Sequence, residues 1–269
     1  MYNIAVILAG GIGARVGGNT PKQLLPLPDG HSVLEHAVNA FEQSPHIHEV
    51  CIVMHPDYIA YAEQMLLANA WQKVRHIIPG GKERWESSVN AIRLYMNQST
   101  HSLKGEEIGA DTESFPSGED LGEALLLHDA ARPFVSQEII ARVCEALEEH
   151  EAVTVAIPST DTVYEMADNK VARIPQRSTI MRAQTPQAFR LELIAEAYAR
   201  ALSPIANSHG VASNSSQCER PLGETPSHNL KEVIATDDCG IVHKHMPHIP
   251  IHIVLGEEQN RKITFKEDI

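Results

Sequence analysis

Short apolar runs alternate along the chain with longer segments in which apolar residues recur every three or four positions. Runs of the first kind are typical of buried strands, and segments of the second kind are typical of amphipathic helices. The first run, residues 4–9, predicts a strand that is buried on both faces. Further strands are predicted at residues 49–54, 74–78, 124–127, 153–157 and 251–255. Helices are predicted after Ser32, at 58–69, after 79–84, after Ser136, at 191–201 and from 236–238.

This order of elements predicts the fold class. Helices that alternate with short strands form βαβ units, and such units build a mainly parallel, twisted sheet. We therefore expect an α/β protein with a Rossmann-like three-layer sandwich, in a single domain spanning residues 1–269. Near the end of the chain, Thr264 and Glu267 have the spacing of a capping box, which predicts a helix start.

Three segments depart from this pattern. Residues 99–123 are acidic and residues 203–229 are rich in Ser, Asn, Pro and Gly, so both are predicted to be surface insertions. Residues 160–178 alternate short apolar pairs with polar residues around Asp168 and Asn169, which predicts a β-hairpin arm. Because such arms often reach across a dimer, we expect a homodimer that is formed through this hairpin.

Composition excludes several classes of protein. The formal net charge of −13 argues against nucleic acid as a partner, because binding to a phosphate backbone needs a basic face. No apolar run approaches the length of a membrane span, and the N-terminus has no signal-peptide pattern. Four widely spaced cysteines favour a cytoplasmic protein without disulfides or a zinc site, and the scattered histidines give only a weak indication of metal binding.

The segment after the first strand carries the chemistry. It contains five glycines within nine positions, with the cation Arg15 among them and the cation Lys22 shortly after them. A strand that runs into a glycine-rich loop is where α/β proteins hold phosphate groups. The loop lacks the Lys-Ser/Thr ending of a Walker A motif, and Val16 occupies the third glycine position of the dinucleotide fingerprint. A glycine-rich turn with two exposed cations is the simpler alternative.

Six motifs that occur in a fixed order favour a nucleotide-binding enzyme over a plain glycine-rich turn. They are Leu-Ala-Gly-Gly with Arg15 and Pro-Lys22-Gln, His-Asp129-Ala-Ala-Arg132-Pro, Asp-Thr162, Thr185-Pro-Gln, Thr236-Asp, and Asn-x-Lys262-Ile-Thr. Together they resemble the cytidylyltransferases that act on 2-C-methyl-D-erythritol 4-phosphate or on ribitol 5-phosphate. The resemblance covers nearly the whole chain outside the two insertions.

The resemblance implies an activity. Such enzymes transfer CMP from CTP to a polyol phosphate and release pyrophosphate. The erythritol compound, an intermediate of isoprenoid biosynthesis, is our first choice of acceptor, and D-ribitol 5-phosphate is the alternative. The sequence departs from the pattern of the erythritol-type enzymes at Lys82 and Arg261, and around Arg177 and Gln184 it is closer to the ribitol-type enzymes. These differences bear on the identity of the acceptor and not on the reaction.

The resemblance also implies roles for individual residues. The triphosphate and the developing charge would be bound by the catalytic residues Arg15, Lys22 and Lys262. CTP would further contact Ala9, Gly10, Gly11, Gly13, Gly81, Ser87 and Ala130. The acceptor would contact Asp129, Arg132, Thr162, Arg177, Thr185 and Thr236. Mg²⁺ would be held largely by the phosphates, with Asp129 as its protein ligand, and Arg177 would reach the acceptor of the partner subunit.

Simpler roles and different functions stay open at this point. Arg132 could form a structural ion pair with Asp129, and the threonines could be ordinary strand or cap residues. A sugar-1-phosphate nucleotidyltransferase that uses UTP, GTP or dTTP would share the glycine loop and the lysine. A non-catalytic nucleotide-binding module would share the fold alone.

Overall fold

The computed structural model describes residues 1–11, 21–102, 122–203 and 236–268. Its strands are β1 (Tyr2–Ala9), β2 (Glu49–Met54), β3 (Val74–Pro79), β4 (Glu123–Asp129), β5 (Ala152–Pro158), β6 (Glu165–Ala167), β7 (Lys170–Arg173), β8 (Met181–Arg190) and β9 (His252–Leu255). Its α-helices are α1 (Val33–Glu42), α2 (Ile59–Asn69), α3 (Arg84–Ser102), α4 (Gln137–Glu149), α5 (Leu191–Leu202) and α6 (Asp238–His245). None of the described helices is both long and apolar enough to cross a membrane.

Seven strands form one sheet in the order β3-β2-β1-β4-β8-β5-β9. Neighbouring strands are parallel except where β8 runs antiparallel to both β4 and β5. One apolar cluster packs α1, α2 and α4 against one face of the sheet, and a second packs α3, α5 and α6 against the other. Strand β1 contributes alternate residues to both clusters, as expected for a strand buried on both faces. The predicted three-layer α/β fold is confirmed.

Helix α1 shows how closely local sequence signals can fix an element. The Ser32 side chain accepts a hydrogen bond from the backbone N–H of Glu35, and the Glu35 carboxylate accepts one from the N–H of Ser32. This capping box satisfies donors that the first turn of a helix leaves without a partner. Ser136 likewise accepts from the N–H of Ile139 and begins α4, as predicted.

Strand β8 is an element that the apolar pattern does not predict. Its sequence has glutamines and a threonine at buried positions. A strand with polar residues at buried positions lacks the apolar pattern from which strands are predicted. Burial is tolerated because the polar groups are hydrogen-bonded. Gln184 donates to the carbonyl of Glu257 at 2.8 Å, and Gln187 donates to the Asp237 carboxylate at 2.7 Å.

Both ends of the first predicted insertion fall within regular elements. Helix α3 continues to Ser102 and β4 begins at Glu123, and the Ser99 hydroxyl joins the two by donating to the Glu123 carboxylate at 2.7 Å. Ser203 closes α5 as its C-cap. The remaining residues of both predicted insertions lie outside the described residues.

The predicted capping box near the end of the chain is also not formed. The Asp268 carboxylate, and not Glu267, organises this turn by accepting from the backbone N–H groups of Thr264 and Phe265. The segment makes a short 3₁₀ turn over Lys266–Asp268.

A two-stranded hairpin projects from the end of β5. Strands β6 and β7 pair antiparallel around Asp168 and Asn169, whose φ angles are 49° and 59°. Positive φ at both central residues is the signature of a type I′ turn. The whole segment 161–174 is exposed. Its exposed apolar side chains are Val163, Tyr164, Met166, Val171 and Ile174.

Candidate active site

The carboxyl ends of three parallel strands meet at one edge of the sheet. In the register of β1, Ala9 lies beside Met54 of β2, and Leu8 lies beside Asp129 of β4. Open α/β sheets bind ligands at this edge, because the loops that follow the strands converge there. Of the predicted residues, Ala9 closes β1, and Ala130 is buried and donates its N–H to the carbonyl of Leu8 at 3.1 Å.

Two glycine turns touch each other at this edge. A Cβ atom placed on Gly80 would lie 2.9 Å from the Cα of Gly10 and 2.9 Å from the Ser87 hydroxyl. Ser87 is buried and accepts from the N–H of Gly81 at 3.1 Å. The turn after β3 and the start of α3 therefore pack directly on the start of the loop after β1.

A buried glutamine that follows the glycine-rich loop in sequence binds the start of the loop. The Gln23 amide donates to the carbonyls of both Ala9 and Gly11, each at 2.7 Å. Gly11 itself is exposed, and no described atom lies within 4 Å of a Cβ placed there. The predicted residues Gly13 and Arg15 lie outside the described residues.

Asp129 is the centre of a charge cluster. Its Oδ1 accepts from Nε of Arg84 at 2.9 Å, and its Oδ2 accepts from Nζ of Lys262 at 2.7 Å. Burial by itself would raise the pKa of Asp129, but the two neighbouring cations outweigh burial and hold the pKa far below its usual range. The carboxylate is therefore charged near pH 7.

Arg84 was not among the predicted site residues. Besides Asp129, it binds the fully buried Asp238 of α6, with Nη1 2.6 Å from Oδ2. The other oxygen of Asp238 accepts from the hydroxyl of Tyr198 on α5 at 2.7 Å. The pairing was hidden because Arg84 and Asp238 are 154 positions apart, although the Gly-Gly-Lys-Glu-Arg sequence before α3 pointed to this turn.

The two predicted catalytic lysines within the described residues are linked through one short segment, 262–263. Nζ of Lys22 donates to the carbonyl of Ile263 at 2.8 Å, although the two residues are 241 positions apart. The adjacent Lys262 binds Asp129, and the N–H of Ile263 donates to the carbonyl of Ala131 at 2.8 Å. The C-terminal segment is thereby fixed between the loop after β4 and the residues that follow the glycine-rich loop.

Thr185 lies beneath this cluster in a buried network. Its hydroxyl oxygen accepts from the N–H of Asp129 at 3.1 Å and lies 3.0 Å from Nδ1 of His128. Burial lowers the pKa of His128 to about 4, so the ring is neutral near pH 7. A neutral ring whose Nε2 donates to the carbonyl of Arg132, at 3.0 Å, satisfies every partner, because Nδ1 then accepts from Thr185.

The Arg132 guanidinium donates hydrogen bonds to backbone carbonyls and not to a carboxylate. It donates to the carbonyls of Asn260 at 2.8 Å and Ala183 at 3.2 Å. Within the described part of the chain, the ion pair with Asp129 that the sequence left open is not found, since Asp129 pairs with Arg84 and Lys262 instead.

Three predicted acceptor residues lie on exposed segments. Thr162 is in the hairpin arm, and Arg177 donates to the carbonyl of Thr160 at 3.4 Å near its base. Thr236 is exposed directly before Asp237, which caps α6. Among the hydrogen bonds and ion pairs of the described residues, none joins these three side chains to the charge cluster around Asp129. Their roles stay predictions.

Because the glycine turns are in contact, alanine should destabilise the protein more at Gly80 than at Gly11. We expect Gly80→Ala to lower the free energy of unfolding by about 1–3 kcal/mol, because the new methyl group meets backbone that cannot yield. Gly11→Ala is the matched control, since its methyl group meets open space in the described structure. Urea denaturation of both variants gives the measurement. Equal losses in the two variants would contradict the packing described here.

Comparisons with known proteins identify the family of the chain. The model of the 2-C-methyl-D-erythritol 4-phosphate cytidylyltransferase (IspD) family matches residues 3–103 and 116–223. The unmatched residues 104–115 fall within the first predicted insertion, whereas the second match includes most of the second insertion.

Similar proteins extend the match to the full chain. A protein of Thermobifida fusca named 2-C-methyl-D-erythritol 4-phosphate cytidylyltransferase is 37% identical over 270 residues, covering 98% of this chain and 89% of its own. The bifunctional ribulose 5-phosphate reductase/CDP-ribitol pyrophosphorylase Bcs1 of Haemophilus influenzae is 30% identical, over 99% of this chain and 46% of its own. The solved 4-diphosphocytidyl-2C-methyl-D-erythritol synthase of Anaerococcus prevotii is 25% identical, with a TM-score of 0.67 over 99% of this chain and 92% of its own. The chain belongs to the 2-C-methyl-D-erythritol 4-phosphate cytidylyltransferase family.

Proposed function

We propose that this protein transfers CMP from CTP to 2-C-methyl-D-erythritol 4-phosphate. A phosphate oxygen of the acceptor attacks the α-phosphorus of CTP, and a new P–O bond forms. The bond from that phosphorus to the oxygen bridging to the β-phosphate breaks, and pyrophosphate leaves with the electron pair. The products are 4-diphosphocytidyl-2-C-methyl-D-erythritol and pyrophosphate.

The observation that carries this proposal is the meeting of distant cations at the sheet edge. Lys22 binds the backbone carbonyl of Ile263, and the neighbouring residue, Lys262, binds Asp129 at the end of β4. Two polyanions must approach each other in this reaction, and negative charge spreads over the α-phosphate oxygens in the transition state. Fixed positive charge and positioning are then the main sources of catalysis, and no side-chain nucleophile is needed. Arg15 would add a third cation from the glycine-rich loop.

The glycine turns fit the nucleotide in this scheme. Gly10 and Gly11 would bring backbone N–H groups close to the phosphates, since a glycine has no side chain to hold a ligand away. Gly81 and Ser87, which pack on the same turn, would face the cytidine. Asp129 and Arg132 would lie next to the acceptor.

Mg²⁺ belongs to the proposal, with a limited role for the protein. Mg²⁺ commonly binds one or two carboxylates together with substrate phosphates. Asp129 could supply one oxygen ligand, but both of its oxygens already accept from cations, and the described residues contain no cluster of three His, Cys, Asp or Glu side chains suited to a metal. The donor set therefore fits an ion that is held mainly by CTP, and the bound ion would offset phosphate charge.

The acceptor experiment tests the proposed activity and its alternative together. We expect pyrophosphate release with CTP and 2-C-methyl-D-erythritol 4-phosphate at a kcat/KM well above that with D-ribitol 5-phosphate. The ribitol compound remains the second candidate because the Haemophilus relative is named for CDP-ribitol. A preference for ribitol would reverse the order of the two, and release with UTP, GTP or dTTP in place of CTP would contradict cytidylyl transfer.

A lysine substitution tests the catalytic assignment. We expect Lys22→Ala to lower kcat by about 10²–10³-fold, because one fixed positive charge on the phosphates is lost. The melting temperature should change little, since a hydrogen bond such as that to the carbonyl of Ile263 contributes only about 1 kcal/mol to stability. Lys73→Ala is the matched control, because Lys73 also donates to a backbone carbonyl, that of Ser44 at 2.6 Å. A Lys22→Ala variant with the kcat of the control would remove the assignment.

We also propose that the hairpin arm forms a homodimer, which would bring Arg177 to the acceptor of the partner subunit. The support is the exposed apolar surface of the arm, which includes Tyr164 at 58% and Met166 at 72% exposure. Contiguous apolar surface on a soluble protein marks an interaction site.

Light scattering after size-exclusion chromatography tests the dimer. We expect the wild-type protein to have twice the mass of one 29.6-kDa chain, and the Tyr164→Ser/Met166→Ser variant to have the mass of one chain. Leu67→Ser, which alters an apolar residue of α2 that is 81% exposed, is the control and should remain dimeric. A monomeric wild-type protein, or a dimer that survives the double substitution, would contradict the role of the arm.

A further inference from the structure

We infer that Arg84 and Asp238 are positioning residues for the reaction, because Asp238 fixes Arg84 and Arg84 in turn fixes the carboxylate of Asp129 at the edge of the sheet. The inference rests on the proposed function, in which Asp129 lies next to the acceptor. It assigns a role to an ion pair that the predicted site did not contain.

One planar group links the two carboxylates. Arg84 uses Nε for Asp129, at 2.9 Å, and Nη1 for Asp238, at 2.6 Å. A guanidinium has a fixed fork of donors, so a bridge of this kind sets both distance and direction. A lysine at this position would present a single ammonium group and could not hold both carboxylates in the same way.

Asp238 is itself held on several sides. Its side chain is fully buried, one oxygen accepts from Tyr198 at 2.7 Å, and its backbone N–H donates to the Gln187 side chain at 3.1 Å. Gln187 also binds the capping residue Asp237, so strand β8 fixes the start of α6. The end of the bridge that is remote from Asp129 is therefore rigid.

The two cations on Asp129 differ in their freedom to move. The Lys262 side chain is 42% exposed, whereas that of Arg84 is 27% exposed and is tied to a buried partner. In the proposed reaction, Lys262 also serves the phosphates, so its hold on Asp129 is shared with the substrate. In the proposed reaction, Arg84 is assigned to Asp129 and Asp238 through Nε and Nη1, and it keeps Asp129 in place.

Geometry makes this role important for the rate. A displacement of about 1 Å in a reacting or positioning group can cost about 10²-fold in rate. The competing possibility is that the bridge is a buried ion pair that only stabilises the fold. Kinetic constants separate the two roles, because a structural pair would change stability and leave the kinetic constants of the folded enzyme unaltered.

Asp238→Asn is the central variant. The asparagine oxygen can still accept from Arg84, and its amide can donate to the hydroxyl of Tyr198, so the fold is retained. A neutral amide oxygen holds the guanidinium more weakly than a carboxylate does, so Arg84 is less firmly fixed. We expect kcat/KM for the acceptor to fall by about tenfold or more, with KM for CTP changed by less than about twofold. Arg84→Lys should likewise lower kcat/KM for the acceptor and leave KM for CTP almost unchanged, because it keeps the positive charge and loses the bridge between the two carboxylates.

A pair of tyrosines supplies the matched control. Tyr198→Phe removes the hydrogen bond to Asp238, and Tyr95→Phe removes a bond of the same length, 2.7 Å, to the buried Glu49. Glu49 begins β2, at the end of the sheet opposite the candidate site. Both variants should lose similar stability, but only Tyr198→Phe should lower kcat/KM for the acceptor.

The outcomes separate the bridge from the reaction. If Asp238→Asn, Arg84→Lys and Tyr198→Phe all lose stability and keep wild-type kinetic constants, as Tyr95→Phe is expected to, the positioning role is overturned. If the wild-type protein releases no pyrophosphate with either acceptor, the proposed function fails. Crystal structures of the wild-type and Asp238→Asn proteins then test whether Asp238 fixes the position of Asp129. A shift of the Asp129 carboxylate of about 1 Å supports the bridge, and an unmoved carboxylate overturns it.

Discussion

The pairing of Asp129 with two cations is the interaction on which the candidate site depends. It brings together three parts of the chain: the end of β4, the start of α3 and the C-terminal segment. A buried carboxylate without partners would be costly, so Arg84 and Lys262 are needed for Asp129 to remain charged at this depth. The same requirement places Lys262, one of the proposed catalytic lysines, at the carboxyl end of β4.

The fold could be predicted from the sequence because its signals are local. Apolar runs indicated the strands of the parallel part of the sheet, and Ser32 and Ser136 indicated the starts of two helices. Strand β8 could not be predicted in this way, because its buried residues Gln184, Thr185 and Gln187 satisfy their hydrogen bonds with partners far along the chain. Burial that depends on tertiary partners leaves no periodic pattern.

The site was predictable to a smaller extent. Motif resemblance proposed Lys22, Asp129 and Lys262, and the structure brings them to one edge of the sheet. Motifs could not show that Arg84 joins Asp129 to Asp238, because that link depends on how α6 packs against α3 and α5. Thr162 lies on the hairpin arm and Arg177 near its base, where Arg177 donates to the carbonyl of Thr160, so their proposed roles depend on the proposed dimer.

The contact between Gly10 and Gly80 has a consequence for how this sequence can change over time. Seventy positions apart, the two residues lie against each other, and the hydroxyl of Ser87 is the side-chain atom of the described structure that would meet a Cβ at either of them. Neither glycine has a side chain to lose, so a methyl group gained by one would require loss of the Ser87 hydroxyl or a shift of the other turn. Each turn therefore limits the substitutions that the other can accept, and a change at either glycine should be accompanied among homologues by a change at position 87.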